Sequence, residues 1–223
     1  SPIGNHGTLS KPENLLESKK TPRLKSSSRL ISTLNSERMA NKLNDKGIEV
    51  VNIPVIELKE IRKNWPEFNL DTSLPREEWP IMVLTSPFAS RCASKMVDYI
   101  PDLAKIQWLA IGAGTARSCF QNGNPASMCA NAKNSRELED YIKDNIPTNV
   151  ELLIPRSSAG NELMKNNLEM FGYSVISWIG YENSGKVVNL EEVKNEDVLL
   201  ISSPSSAKSW DQNELPVPDV VIC

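Results

Sequence analysis

Leu84-Thr85-Ser86-Pro87-Phe88-Ala89-Ser90 and Ile201-Ser202-Ser203-Pro204-Ser205-Ser206-Ala207 carry the same signal twice. Each follows a short apolar run and opens a helical pattern. Serine caps a free backbone N–H at a helix start, and proline at the first helical position has no N–H to leave unpaired. The strand that follows in the first copy, Trp108-Leu109-Ala110-Ile111-Gly112, is echoed by Val220-Val221-Ile222-Cys223 in the second. The pair reads as two related halves of one α/β protein. The alternative is that Ser-Pro after a strand is common helix-start chemistry and nothing more.

Outward from these stretches, strand and helix patterns alternate. Leu30–Leu34 reads as a strand, a helix capped by Ser36 runs to Lys46 with Gly47 as its stop, and Ile48–Ile53 is the next strand. Then come an extended Val55–Ile61, a strand over Ile81–Thr85, a helix from Pro87 to Tyr99, a strand over Ile106–Ile111 and a helix from Thr115 to Gln121. Ala126–Ala130 (strand), Arg136–Lys143 (helix), Val150–Ile154 (strand), Glu162–Met170 (helix ended by Gly172) and Tyr173–Ile179 (strand) continue the alternation. After Gly180-Tyr181 an extended Lys186–Leu190 leads to a strand at Val198–Ser202, a helix at Ser205–Gln212 and a last strand at Val217–Ile222.

Five strands between residues 81 and 179 suit one doubly wound domain. The remaining four suit a second lobe that the chain leaves and re-enters. The expected division is an N-terminal extension over 1–27, lobe 1 over 28–55 and 186–223, and lobe 2 over 56–185, with the two crossings paired as a connector. Residues 1–27 are polar and aperiodic and are expected to be disordered. The second copy holds only the first half of the pattern: no segment matches Ala113-Gly114-Thr115-Ala116, its helix and its final strand. Lobe 1 is therefore expected to be C-terminally incomplete.

Composition narrows the chemistry. The 223 residues carry a net charge of −3, one histidine and four cysteines. The single His6 argues against Ser-His-Asp hydrolysis and against histidine-based metal or acid–base chemistry. Cys92, Cys119, Cys129 and Cys223 form no CxxC pair, so a zinc ribbon is not supported, and free thiols in a reducing compartment are expected. No apolar run approaches the roughly 20 residues that span a bilayer. The acidic balance gives no case for bulk nucleic-acid binding.

Candidate site residues sit at strand-to-helix turns. Ser86 and Ser203 head helices whose positive ends suit carboxylates, although plain capping explains either one alone. Ile111-Gly112-Ala113-Gly114-Thr115-Ala116 reads as an anion-binding turn; the third glycine of a dinucleotide fingerprint falls at Arg117. Arg156 can bind a carboxylate in a fork or be an ordinary loop arginine. Tyr181 follows a strand at the crossing, where it can face a cleft between the lobes and donate a proton, or be a half-buried packing residue.

Taken in order, Thr85-Ser86-Pro87, Ile111-Gly112-x-x-Thr115-Ala116, Ser135-x-Glu137-Leu138, Leu153-Ile154-Pro155-Arg156, Phe171-Gly172-Tyr173-x-Val175, Tyr181 and Ser203-Pro204-Ser205 resemble the uroporphyrinogen-III synthase family over residues 30–223. The resemblance implies two flavodoxin-like parallel-sheet lobes joined by a two-stranded connector, and no cofactor or metal. It implies a substrate, hydroxymethylbilane, with eight carboxylates. The terminal hydroxyl leaves to give an azafulvene, the last pyrrole attacks through its substituted carbon to give a spiro intermediate, and fragmentation and reclosure invert ring D. It also implies that Tyr181 assists hydroxyl departure and that Ser86, Thr115 and Ser203 bind carboxylates with backbone amides. Thr85, Gly112, Gly114, Arg156 and Ser205 complete the expected binding set.

The chain departs from the family where Leu34, not arginine, follows Thr33, and where the second Gly-x-x-Thr-Ala turn is missing. Weak or no activity is expected from this chain for the latter reason. A cytoplasmic monomer with no nucleic-acid or membrane partner is expected. A competing reading is a non-enzymatic two-lobed binding protein for a small polyanion. A single response-regulator-like domain needs an acidic cluster at strand ends, and Asp71, Asp98 and Asp102 are not so placed.

Overall fold

The computed structural model describes residues 28–188 and 193–223. The N-terminal extension and the end of the expected Lys186–Leu190 stretch lie outside the described residues.

Two sheets form from the alternation, the smaller parallel and the larger parallel except for one edge strand. The smaller holds β1 (Leu30–Ser32), β2 (Val50–Asn52), β9 (Val198–Leu200) and β10 (Val220–Ile222) in the order β10-β9-β1-β2, with α1 (Arg38–Asn44) and α6 (Pro204–Gln212). The larger holds β3 (Ile56–Glu60), β4 (Ile81–Leu84), β5 (Gln107–Ile111), β6 (Met128–Ala130), β7 (Leu152–Ser157) and β8 (Val175–Gly185) in the order β3-β8-β7-β4-β5-β6. Its helices are α2 (Pro87–Met96), α3 (Gly112–Gln121), α4 (Ser135–Asn145) and α5 (Leu163–Phe171).

The strand orders superimpose as β8-β7-β4-β5 on β2-β1-β9-β10. The two Ser-Pro strands, β4 and β9, thus hold the same place in their sheets. With β6 added, the larger sheet follows the flavodoxin order 2-1-3-4-5, counted from β7.

β4 is buried along its whole length because both faces of its sheet are covered. Met82 and Leu84 pack with Ala89, Cys92 and Met96 of α2 and Cys119 of α3. Ile81 and Val83 pack on the opposite face with Leu138 and Ile142 of α4 and Leu168 of α5. Ile31, Ile53, Val55, Leu199 and Trp210 make the core of the smaller lobe. Its first strand is anchored by Asp197, whose side chain is fully buried and bound by Arg29 through Nε at 3.2 Å and Nη2 at 2.8 Å.

β3 runs antiparallel to the second half of β8, from Ile56 opposite Gly185 to Glu60 opposite Tyr181. This is the two-stranded connector, and the Lys186 N–H extends it to the Val55 carbonyl at 2.8 Å. The smaller lobe grips the connector through the Ser209 hydroxyl of α6, which donates to the same carbonyl.

Several local expectations are corrected. The strand expected to stop at Ile179 continues to Gly185, so Tyr181 lies inside β8 rather than after it. α2 ends at Met96, not Tyr99; Pro101 disfavours helical backbone at Ile100. α3 starts at Gly112, so the glycine turn is already its first helical turn. Ser36 does not cap α1: Glu37 holds the cap position without a side-chain bond, and Ser36 Oγ accepts from the Arg38 N–H at 3.4 Å. Lys186–Val188 is irregular rather than strand.

Candidate active site

β4 leads into α2 on one face of the larger sheet, and β7 leads towards α5 on the other. Strands that part in this way open a crevice at their C-terminal ends, the usual ligand position in doubly wound sheets. A cavity of about 870 Å³ occupies it. Thr85, Arg156, Ser157 and Tyr181 line its sheet edge, and α4 and α5 form its walls with Arg136, Glu139, Lys143, Lys165 and Asn167.

A bulge aims Tyr181. Arg156 pairs with Ile179 but Ser157 pairs with Tyr181, which leaves Gly180 as an extra residue on β8. Val175 and Ser177 face α4 and α5, and Trp178 faces α2. Regular alternation would put Tyr181 with Val175; the extra residue turns it to the α2 face. There its ring packs at 5.1 Å from Phe88, and its hydroxyl lies 3.0 Å from Ser86 Oγ. Glycine relieves crowding at the bulge: a Cβ on Gly180 would stand 3.1 Å from Pro155 Cβ.

Ser86 Oγ also accepts from the Ala89 N–H at 3.0 Å and so caps α2. The serine joins the positive end of a ten-residue helix to the phenol. Tyr181 is 6% exposed, and burial pushes its pKa above the ordinary value of 10, opposed by the bond to Ser86. The phenol is therefore neutral at physiological pH and holds a proton to donate.

Arg156 lines the cavity, but its fork is engaged: Nη2 meets Glu162 Oε1 at 3.1 Å and Nη1 the Gly160 carbonyl at 3.2 Å. Its Nε is buried without a partner.

Ser86 and the remaining expected residues do not line this cavity. Thr115 is 2% exposed, turned inward by the early start of α3. Gly112 has φ +65, which glycine adopts without strain, and Gly114 meets open space. Ser203 caps α6 by accepting from the Ser206 N–H at 3.1 Å, as Ser86 caps α2. Ser205 is half-buried on the same helix. The cavity thus belongs to the larger lobe. A smaller groove of about 320 Å³ spans the lobes, lined by Leu34, Ser36, Arg38, Met39 and Lys42 on one side and Arg117 on the other.

Glu139, Lys143, Ser157, Lys165, Asn167 and Ser177 were not singled out by sequence reasoning. Only Glu139 left a trace: a carboxylate between Leu138 and Ile142 on the buried stripe of α4. Among the described residues no cluster of His, Cys, Asp and Glu is placed to hold a metal ion, and no helix is long and apolar enough to cross a membrane.

Residues 37–213 match the family model described as uroporphyrinogen-III synthase HemD. The chain belongs to the uroporphyrinogen-III synthase family. It is accordingly a lyase of tetrapyrrole biosynthesis, as the ordered motifs implied. Solved uroporphyrinogen-III synthases share its fold. A mutant enzyme from Thermus thermophilus aligns with a TM-score of 0.53 at 17% identity, over 84% of this chain and 77% of that one. The enzyme from Helicobacter pylori aligns with a TM-score of 0.54 at 14% identity, over 87% and 81%. No curated protein matches the chain.

Proposed function

We propose that this synthase-family chain cyclises hydroxymethylbilane to uroporphyrinogen III at the crevice between β4 and β7, with Tyr181 as the proton donor. The observation that carries the reading is Tyr181 at the edge of the cavity, its hydroxyl hydrogen-bonded to Ser86 at the head of α2 and its pKa raised by burial. The electron pair of the first ring's nitrogen expels the terminal hydroxyl, which takes the Tyr181 proton and leaves as water. Ring D attacks the cationic azafulvene through its substituted carbon. The spiro intermediate fragments and recloses through ring D's free carbon, and the proton lost from that carbon restores the phenol. The atoms balance as loss of one water. No metal or cofactor is required by this sequence of steps.

Binding an eight-carboxylate chain calls for many weak anion sites rather than one strong one. Thr85, Ser86 and the first-turn amides of α2 serve the carboxylates nearest Tyr181. Arg156 exchanges its exposed partner Glu162 for a substrate carboxylate. Gly112, Gly114 and Thr115 contribute through the amides of α3, and Ser203 and Ser205 through those of α6, where the ligand reaches beyond the cavity. The lobes divide at residues 55/56 and 185/186, and the protein works as a cytoplasmic monomer without nucleic acid.

Incubation with hydroxymethylbilane, followed by separation of the isomers, tests the reading. Type III product in excess is expected. Type I alone, the product of unassisted closure, would overturn it.

A further inference from the structure

Glu139 is 6% exposed, yet among the described residues it forms no salt bridge. Its partner among the described residues comes from α5, where Asn167 Nδ2 donates to Oε2 at 3.0 Å. A buried carboxylate is costly unless donors or cations surround it. Arg136 and Lys143, one turn before and after it on α4, line the same cavity without pairing with it, as does Lys165 on α5. Oε1 is not among the buried polar atoms left without a partner. The cavity therefore presents an acceptor on its α4–α5 wall, with cations around it, and Tyr181 at its sheet edge.

Resting on the function proposed above, we propose that Glu139, held by Asn167, accepts hydrogen bonds from the pyrrole N–H groups of the bound bilane. A linear tetrapyrrole presents N–H donors along one edge and carboxylates along the other. A carboxylate on the wall repels the second edge and attracts the first. Arg136, Lys143 and Lys165 take the carboxylates that then point outward. Glu139 thus fixes which edge of the chain faces the protein. That choice positions ring D for attack through its substituted carbon and makes Glu139 a specificity determinant for pyrrole N–H donors.

The test compares wild type with Glu139→Gln, which keeps an acceptor for Asn167 and removes the charge. Two probes are used: a linear bilane with methyl in place of the hydroxymethyl group, which binds without reacting, and its N-methylated counterpart. Expected is a Kd about tenfold weaker for the N–H bilane, about 1.4 kcal/mol, with the N-methylated probe unchanged. Unchanged affinity for the N–H bilane, or equal loss with both probes, overturns the proposal. Should Glu139→Gln fail to fold, Asn167→Ser, which releases the carboxylate from its partner, must show the same contrast between probes. Type III turnover by wild type together with unaltered bilane binding by Glu139→Gln sinks this inference alone. Absence of both turnover and bilane binding in wild type sinks the proposed function with it.

Discussion

Replacing Gly180 with alanine probes the bulge that aims Tyr181. The new methyl would stand 3.1 Å from Pro155 Cβ, 3.5 Å from Trp178 Nε1 and 3.6 Å from Trp65 Cζ2. Carbon pairs are comfortable at about 3.5–4.0 Å, so the overlap with Pro155 is roughly half an ångström. A proline ring fixed in β7 cannot swing aside, so β8 must move. Overpacking of this kind costs about 1–3 kcal/mol. For a chain of this size each 1 kcal/mol lowers Tm by roughly 2–4 °C. The same shift stretches the 3.0 Å bond between Ser86 and Tyr181 to the limit of hydrogen bonding. Misplacement on that scale can cost up to about 100-fold in turnover. The assay is kcat on hydroxymethylbilane with a parallel thermal melt, in wild type and in a Tyr181→Phe background. Gly180→Ala should slow the wild type strongly and Tyr181→Phe little, since both changes remove one interaction. A variant that melts within a degree of wild type and turns over normally would refute the bulge argument.

Three further outcomes are expected. Cys92 and Cys119 are buried, with the Cys92 thiol pushed up to about 12 by desolvation, whereas Cys129 and Cys223 are exposed; iodoacetamide should modify only the last two in the folded protein, as read by mass spectrometry. The bonds from Arg29 hold Asp197 below its ordinary carboxyl pKa of 3.8. Its folded pKa is depressed, so its contribution is fully present above about pH 4 and is lost as pH falls through the lower folded value; Asp197→Ala, which removes the charge-assisted hydrogen bonds from Arg29, should cost about 2 kcal/mol in urea denaturation at pH 7. Because the Tyr181 pKa is raised above 10, its protonated form persists across the neutral and mildly alkaline range; kcat should show no alkaline limb below pH 10 from this group, and a limb near pH 8 would exclude Tyr181 as the donor.

Much of the fold is legible in local chemistry. Ser86-Pro87 and Ser203-Pro204 announce helix starts because capping depends on neighbours in sequence, and both caps are made. Gly172 stops α5 in the left-handed region, as a glycine after the last apolar position implies. The aim of Tyr181 is a different matter. A bulge is a property of two paired strands, and nothing in Trp178-Ile179-Gly180-Tyr181 alone says which residue the partner will skip. Nor does the sequence say that Thr115, placed in a turn by its glycines, would be drawn inward by an α3 that begins three residues early. Glu139 was hidden for a related reason: a carboxylate beside an apolar stripe normally faces solvent, and only the packing of α5 on α4 covers it.

The most direct measurement is single-turnover loss of hydroxymethylbilane by wild type and by Tyr181→Phe at pH 7, with the isomers of the product resolved. Removing only the phenolic hydroxyl leaves the ring against Phe88 and should slow hydroxyl departure by about 100-fold or more, while binding of the unreactive methyl bilane stays within a few-fold of wild type. An unaltered rate of type III formation by Tyr181→Phe would contradict the account.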